Sequence, residues 1–237
     1  MNNNQIKIRK SVERGAFKNE WLNAKHTFSF GQYYDPTNMG FGPLRVINQD
    51  IISAGQGFGM HGHDNMEIIT FVTNGRLKHK DTLGSTSTIS PGEIQMMSAG
   101  TGIRHSEFND LYDEELKLLQ IWIEPNQENL TPRYQDLKLI EIQKINGLIP
   151  LATEKGLRGG LRIDSDADLY LLESEAVEKI KFNSNRMGNI FIQIIDGEIN
   201  LNGFDLMAGD SVSVENTIHF EFQIKDSVRL ILFDLGK

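Results

Sequence analysis

Gly55-Gln56-Gly57-Phe58-Gly59-Met60-His61-Gly62-His63-Asp64-Asn65-Met66-Glu67 leads directly into the apolar run Ile68 to Val72. Side chains alternate along an extended chain with period 2, so His61 and His63 point the same way and Glu67 shares their parity. Further along, His105-Ser106-Glu107 repeats the device, again with two ligand-type side chains at i and i+2. Metal binding needs unprotonated nitrogens and oxygens gathered within ~2.0–2.2 Å of one point, and two such pairs supply them at little entropic cost. A lone histidine is better explained as a locally hydrogen-bonded side chain. Two spaced pairs, each beside a glycine-rich turn, are better explained by convergence on one ion. Three histidines and a carboxylate make a mixed N/O donor set that suits first-row divalent metals, and in an octahedral ion four protein ligands leave two positions free. By spacing alone, Glu67 and Glu107 are equal candidates for the carboxylate. Glu67 also fits as an acceptor orienting a ligating histidine, and its parity disfavours an outward charge.

Working outward, the chain of 237 residues is long enough to bury one large core or two small ones. It has no cysteine, which excludes disulfides, thiolate metal sites and thiol nucleophiles. A net charge of −8 argues against a nucleic-acid groove. No run is long and apolar enough to span a bilayer, and the first residues lack the apolar core of a secretion signal, so a cytoplasmic location and no membrane partner are expected. The pattern of short strands and regular turns predicts an all-β chain. Gln5 to Lys10 reads as an edge strand. Asn74-Gly75 is a hairpin signal with Arg76 to Thr82 as the return strand, and Asp196-Gly197 reads as another turn. Residues 126–136 read as a linker. His79 is expected to face solvent, and His26 to be a pocket or core histidine with Phe28 and Phe30 on its face. His219-Phe220-Glu221 copies the His-x-Glu spacing without partner histidines.

An internal repeat supports two β-barrels. Strand, Asn74-Gly75, strand, then Pro91-Gly92-Glu93 corresponds to strand, Asp196-Gly197, strand, then Ala208-Gly209-Asp210. Anchoring Gly75 on Gly197 sets Asn183 and Asn185 against His61 and His63, and Asn189 against Glu67, so the second half reads as a copy without the ligands.

Gly55-x5-His61-x-His63-x3-Glu67-x7-Gly75 resembles the first cupin motif, and Ser90-Pro91-Gly92-Glu93 through His105-Ser106-Glu107 resembles the signature of the pirin family. His26-Thr27-Phe28-Ser29-Phe30, Tyr33-Tyr34-Asp35-Pro36 and Thr131-Pro132-Arg133-Tyr134 are similar to its bacterial members. The resemblance implies a bicupin, two jelly-roll-like β-barrels packed together, which we place at residues 1–137 and 138–237. It implies one divalent transition metal in the first barrel, with Fe(II) foremost and Ni, Cu, Mn, Co or Zn as alternatives, held by His61, His63, His105 and Glu107. Glu67 then moves beside the ligands or toward the substrate, and Glu107 or Glu67 takes a proton from substrate. The implied activity is that of a quercetin 2,3-dioxygenase, cleaving a flavonol ring with O₂ and releasing CO. The implied alternative is an iron-binding, redox-sensitive regulator acting through a protein partner. Gly62 and Asp64 depart from the family pattern, which commonly has a proline between the histidines and a basic residue after them.

Overall fold

A computed structural model describes residues 6–186 and 188–236. Period-2 patterning dominates it, and the described residues contain no helix beyond single 3-10 turns. The first half carries β1 (Ile6–Arg9), β2 (Gly15–Lys18), β3 (Leu22–His26), β4 (Leu44–Ile52), β5 (Gly57–His63), β6 (Glu67–Asn74), β7 (Leu77–Asp81), β8 (Thr86–Ile89), β9 (Glu93–Ser98), β10 (Ile103–Asn109), β11 (Leu116–Ile123) and β12 (Arg133–Lys138). The second carries β13 (Ile149–Thr153), β14 (Leu161–Arg162), β15 (Ala167–Ser174), β16 (Lys179–Asn183), β17 (Asn189–Leu201), β18 (Phe204–Met207), β19 (Ser211–Val214) and β20 (His219–Leu235). Gln5, expected to open the first strand, lies outside the described residues. β12 occupies part of the stretch expected to be a linker and pairs along β9.

The expected barrels do not close. Among the described residues, strand pairing yields three open sheets: β5-β10-β7-β8, β12-β9-β6-β11-β4-β3-β2, and β1-β19-β17-β20-β15-β13-β14 with β16 on β20 and β18 on β17. All pairings are antiparallel except β13 with β14. Each half is therefore a cupin-like arrangement of sheets rather than a closed barrel, and the reason is visible at the two glycine signals. Asn74-Gly75 does not make a hairpin: β6 lies in the seven-stranded sheet, while β7 pairs with β10 and β8 in the four-stranded one. The chain crosses from sheet to sheet there, with Gly75 at φ 77° and a space in which a Cβ would meet the Glu115 carbonyl at 2.7 Å. Asp196-Gly197 is not a turn either. β17 runs through it unbroken, bulged on both sides, with Gly197 at φ 80° against the Ser227 carbonyl. Positive φ and close backbone approach explain glycine at both positions without a hairpin.

The two large sheets pack against each other. Ile69, Phe71, Ile94 and Ile121 from the first half share one buried cluster with Leu151, Leu169, Phe191, Ile231 and Phe233 from the second. The chain start reinforces the joint, since β1 pairs with β19 and adds a strand to the second half's sheet. The opposite, inner face of the seven-stranded sheet looks toward the four-stranded sheet. The imidazoles gather between them.

Candidate metal centre

β5 and β10 run antiparallel with His61 directly opposite His105. Alternation brings His63 onto the same face, and the ligating atoms of His61, His63 and His105 all lie within 4.8 Å of one another. His63 Nε2 stands 3.1 Å from His105 Nε2. Neighbouring ligands on an ion with bonds of ~2.0–2.1 Å are separated by about 3 Å, so this gap suits two nitrogens sharing one metal. The His61 Nδ1–H donates to the Gly59 carbonyl at 2.8 Å, which leaves its Nε2 lone pair free for the same point. Burial, then the neighbouring His105 and His61, push His63 down to about 4; burial, then His61 and His79, push His105 down to about 3. Both rings are therefore unprotonated at neutral pH, the state a metal ligand requires. Three imidazole nitrogens converging on one point are a donor set for a cation.

Glu107 is buried and held by three donors. Thr70 Oγ1 and Gln95 Nε2 reach its Oε1 at 3.1 and 3.0 Å, and Gln120 Nε2 reaches Oε2 at 2.6 Å. These donors are in turn anchored: Tyr134 Oη donates to Gln95 Oε1, and Trp122 Nε1 donates to Gln120 Oε1. Burial pushes the Tyr134 phenol up, which keeps it a donor. The ligating atom of Glu107 falls into a second, overlapping group with His105 and His79 rather than into the group of His61 and His63. Two mixed groups that share His105 make a histidine/glutamate cluster able to bind a divalent metal.

His79 corrects its expectation. It is fully buried, with Nε2 3.2 Å from Asp81 Oδ2, its ring stacked on Tyr134 at 4.7 Å and 5.3 Å from the His105 ring. Its Nδ1 and that of His105 are buried without a hydrogen-bond partner. The signal was available in Leu77-Lys78-His79-Lys80-Asp81, where two lysines mark the solvent face and assign the other three to the interior. Thr70, Gln95, Gln120, Trp122 and Tyr134 carried no such mark, because nothing local says that a strand glutamine faces a carboxylate rather than water.

Glu67 does not share the histidines' face. β5 and β6 belong to different sheets, and residues 64–66 turn between them, so parity does not carry across. Its carboxylate accepts from Ser98 Oγ at 2.8 Å and lies 3.7 Å from Arg133 Nη2, on the strand face of Ile69 and Phe71 that packs on the second half. Burial raises its pKa, opposed by Ser98 and Arg133. Phe28 also belongs to that joint, 5.5 Å from the Phe191 ring, whereas Phe30 stands edge-on to Trp122, itself edge-on to His63. His26 is buried as expected, with Nδ1 on Asn48 Oδ1. His219 is exposed and bonded to Asn183. Gly62 and Asp64 are exposed at the rim, and a side chain at Gly62 would meet only ordinary contacts, 3.7 Å from Arg104 Cγ.

An all-β chain with two cupin-like halves and histidines on paired strands of the first defines the class as a cupin with a candidate metal centre in that half. Comparison with known proteins narrows the class. Residues 6–123 match the family described as Pirin, and residues 151–235 match the quercetinase C-terminal cupin domain. The chain is 40% identical over 235 residues to quercetin 2,3-dioxygenase of Escherichia coli (strain K12), covering 97% of this chain and 98% of that protein. It is 34% identical over 221 residues to a pirin-like protein of Caulobacter vibrioides, covering 93% of this chain and 95% of that protein. It superposes with a TM-score of 0.92 and 38% identity on the crystal structure of the bacterial pirin YhhW from Escherichia coli in complex with nickel(II), covering 98% of this chain and 99% of that one. The chain belongs to the pirin family of the cupin superfamily.

Proposed function

We infer that this chain is a metal-dependent dioxygenase of the quercetin 2,3-dioxygenase type, cleaving a flavonol with O₂ and releasing CO. The observation that carries the reading is the convergence of three imidazoles, two of them held unprotonated by burial, beside a carboxylate fixed by three donors. His61, His63 and His105 would hold the ion through Nε2, with Glu107 reaching it from the His105 side. Fe(II) is the metal we assign first, and the nickel complex of the similar Escherichia coli protein supports a site tolerant of other divalent ions. A bound divalent ion supplies Lewis acidity, which favours ionisation of a flavonol hydroxyl at neutral pH.

The chain's own residues orient and deprotonate. Glu107 Oε1 takes two hydrogen bonds and Oε2 one, so Oε2 keeps the lone pair that accepts the hydroxyl proton. Gln120 fixes that oxygen and is itself fixed by Trp122, whose ring edge-packs on His63 at 4.8 Å. A planar substrate entering over His61 and His63 meets the Trp122 ring as a wall. We assign Glu67, bonded to Ser98 and beside Arg133, to the joint between the halves.

Anaerobic reconstitution with Fe(II), followed by quercetin and air, tests the reading through flavonol loss and CO release. Absence of turnover with every first-row divalent metal would overturn it.

A further inference from the structure

β2 and β3 end the seven-stranded sheet, and a cavity of about 510 Å³ beside them is lined by Phe17, Leu22, His26, Phe30 and Tyr33. That volume falls within the ~300–1,000 Å³ of small-molecule sites. None of the residues lining it is a carboxylate, lysine or arginine. The Tyr33 wall is built deliberately. A Cβ on Gly15 would sit 2.3 Å from a Tyr33 ring carbon, so only glycine lets the ring lie on β2. Arg9 Nη2 donates to the Tyr33 hydroxyl at 2.6 Å and that hydroxyl donates to Asp35 at 3.2 Å, which locks the ring from the other end.

Of the polar side chains lining this cavity, Gln32 is exposed, Tyr33 has its hydroxyl engaged by Arg9 and Asp35, and His26 is 5% exposed. Its Nδ1 lies 2.8 Å from Asn48 Oδ1, an acceptor, so Nδ1 carries the proton and Nε2 holds a lone pair. Among the described residues no hydrogen bond reaches that Nε2. Burial lowers the imidazole's pKa and keeps it neutral. The rings of Phe30 and Tyr33 flank it at 5.4 and 6.4 Å. Phe30 and Trp122, with centroids 5.3 Å apart, stand between His26 and His63, and none of the imidazole trio lines the cavity.

We propose that this cavity binds a small neutral phenol, its ring packed between Phe30 and Tyr33 and its hydroxyl donating to His26 Nε2. An acceptor that opens on the cavity without a protein partner is met by one donor, and the absence of a lining charge disfavours an ion. Aromatic walls favour an aromatic ring over an aliphatic alcohol through edge-to-face contact. The site stands whether or not the metal centre turns over.

Calorimetric titration of the metal-loaded full chain with phenol and with anisole, which has the ring but no hydroxyl donor, tests it. Phenol should saturate one site, and anisole should bind about two- to tenfold weaker, the loss expected for one missing hydrogen bond. Ala16→Phe, at an exposed strand position on the cavity wall, should abolish phenol binding by filling the space. His26→Phe should make phenol no tighter than anisole. His105→Ala should leave phenol binding unchanged. Equal affinities for phenol and anisole, binding that survives Ala16→Phe, or binding lost in His105→Ala would overturn the proposal, as would tighter binding of N-acetyltyrosine amide than of phenol.

Discussion

The two halves of the molecule share one strand order and fill it with opposite chemistry. β12-β9-β6-β11-β4-β3 in the first half is matched by β1-β19-β17-β20-β15-β13 in the second, and β5-β10-β7-β8 by β16, the start of β20, the end of β17, and β18. In the first half the cross-strand pair His61 and His105 faces inward. In the second, the pair Asn183 and His219 faces outward, and the inward positions one residue away are Phe182 opposite Phe220. Anchoring the sequence repeat on Gly75 and Gly197 therefore misplaces the ligand positions by one residue, which in a strand reverses the face. Phenylalanines, not asparagines, stand where the imidazoles stand. Around them Tyr170, Ile192, Phe222 and Leu230 form an apolar core, whereas the first half's interior holds Asp50, Thr70, His79, Asp81, Gln95, His105 and Glu107. One half is filled with apolar side chains; its counterpart has a polar interior.

The sharpest way to break this comparison is metal content. His105→Ala should abolish stoichiometric metal in elemental analysis of protein reconstituted with Fe(II), while His219→Ala should leave it intact. Packing should respond in the opposite sense. Phe220→Ala should cost about 3–5 kcal/mol in denaturant unfolding, the range for a buried aromatic truncation, with no loss of metal.

The polar interior should also show in pH dependence. Burial, then the charge of Glu107, raises Asp50 to about 7. The folded form then holds a proton that the unfolded chain releases near pH 4, so the favourable contribution is complete below pH 4 and is lost as pH rises toward 7. By linkage the loss is at most about 4 kcal/mol. Asp50→Asn should flatten that decline in the metal-free protein, as followed by urea unfolding at pH 4.5 and 8. If the wild-type chain and Asp50→Asn decline in parallel, Asp50 is not the group responsible. The smallest effect is expected at Glu67. Glu67→Gln should leave bound metal unchanged, whereas Glu107→Gln should weaken it by about 10- to 100-fold in a competitive chelator titration.

Much of the site was legible because its logic is local. His61 and His63 declare a shared face through period 2, and His105-x-Glu107 does the same on a second strand. Leu77-x-His79-x-Asp81 between two lysines was equally legible. Asn74-Gly75 misled because positive φ serves a sheet crossing as well as a hairpin, and the sequence does not say where the next strand pairs.

By itself, then, the sequence determined an all-β chain, the inward histidines of β5 and β10 and the family, since alternation and motif spacing act within a few residues. Tertiary structure alone decided that the sheets stay open, that Glu67 turns to the joint between halves, and that Glu107 is gripped by Gln95 and Gln120. Those outcomes depend on which strands pair and which sheet faces which. Such choices are made by contacts between residues far apart in the chain, and no local pattern encodes them.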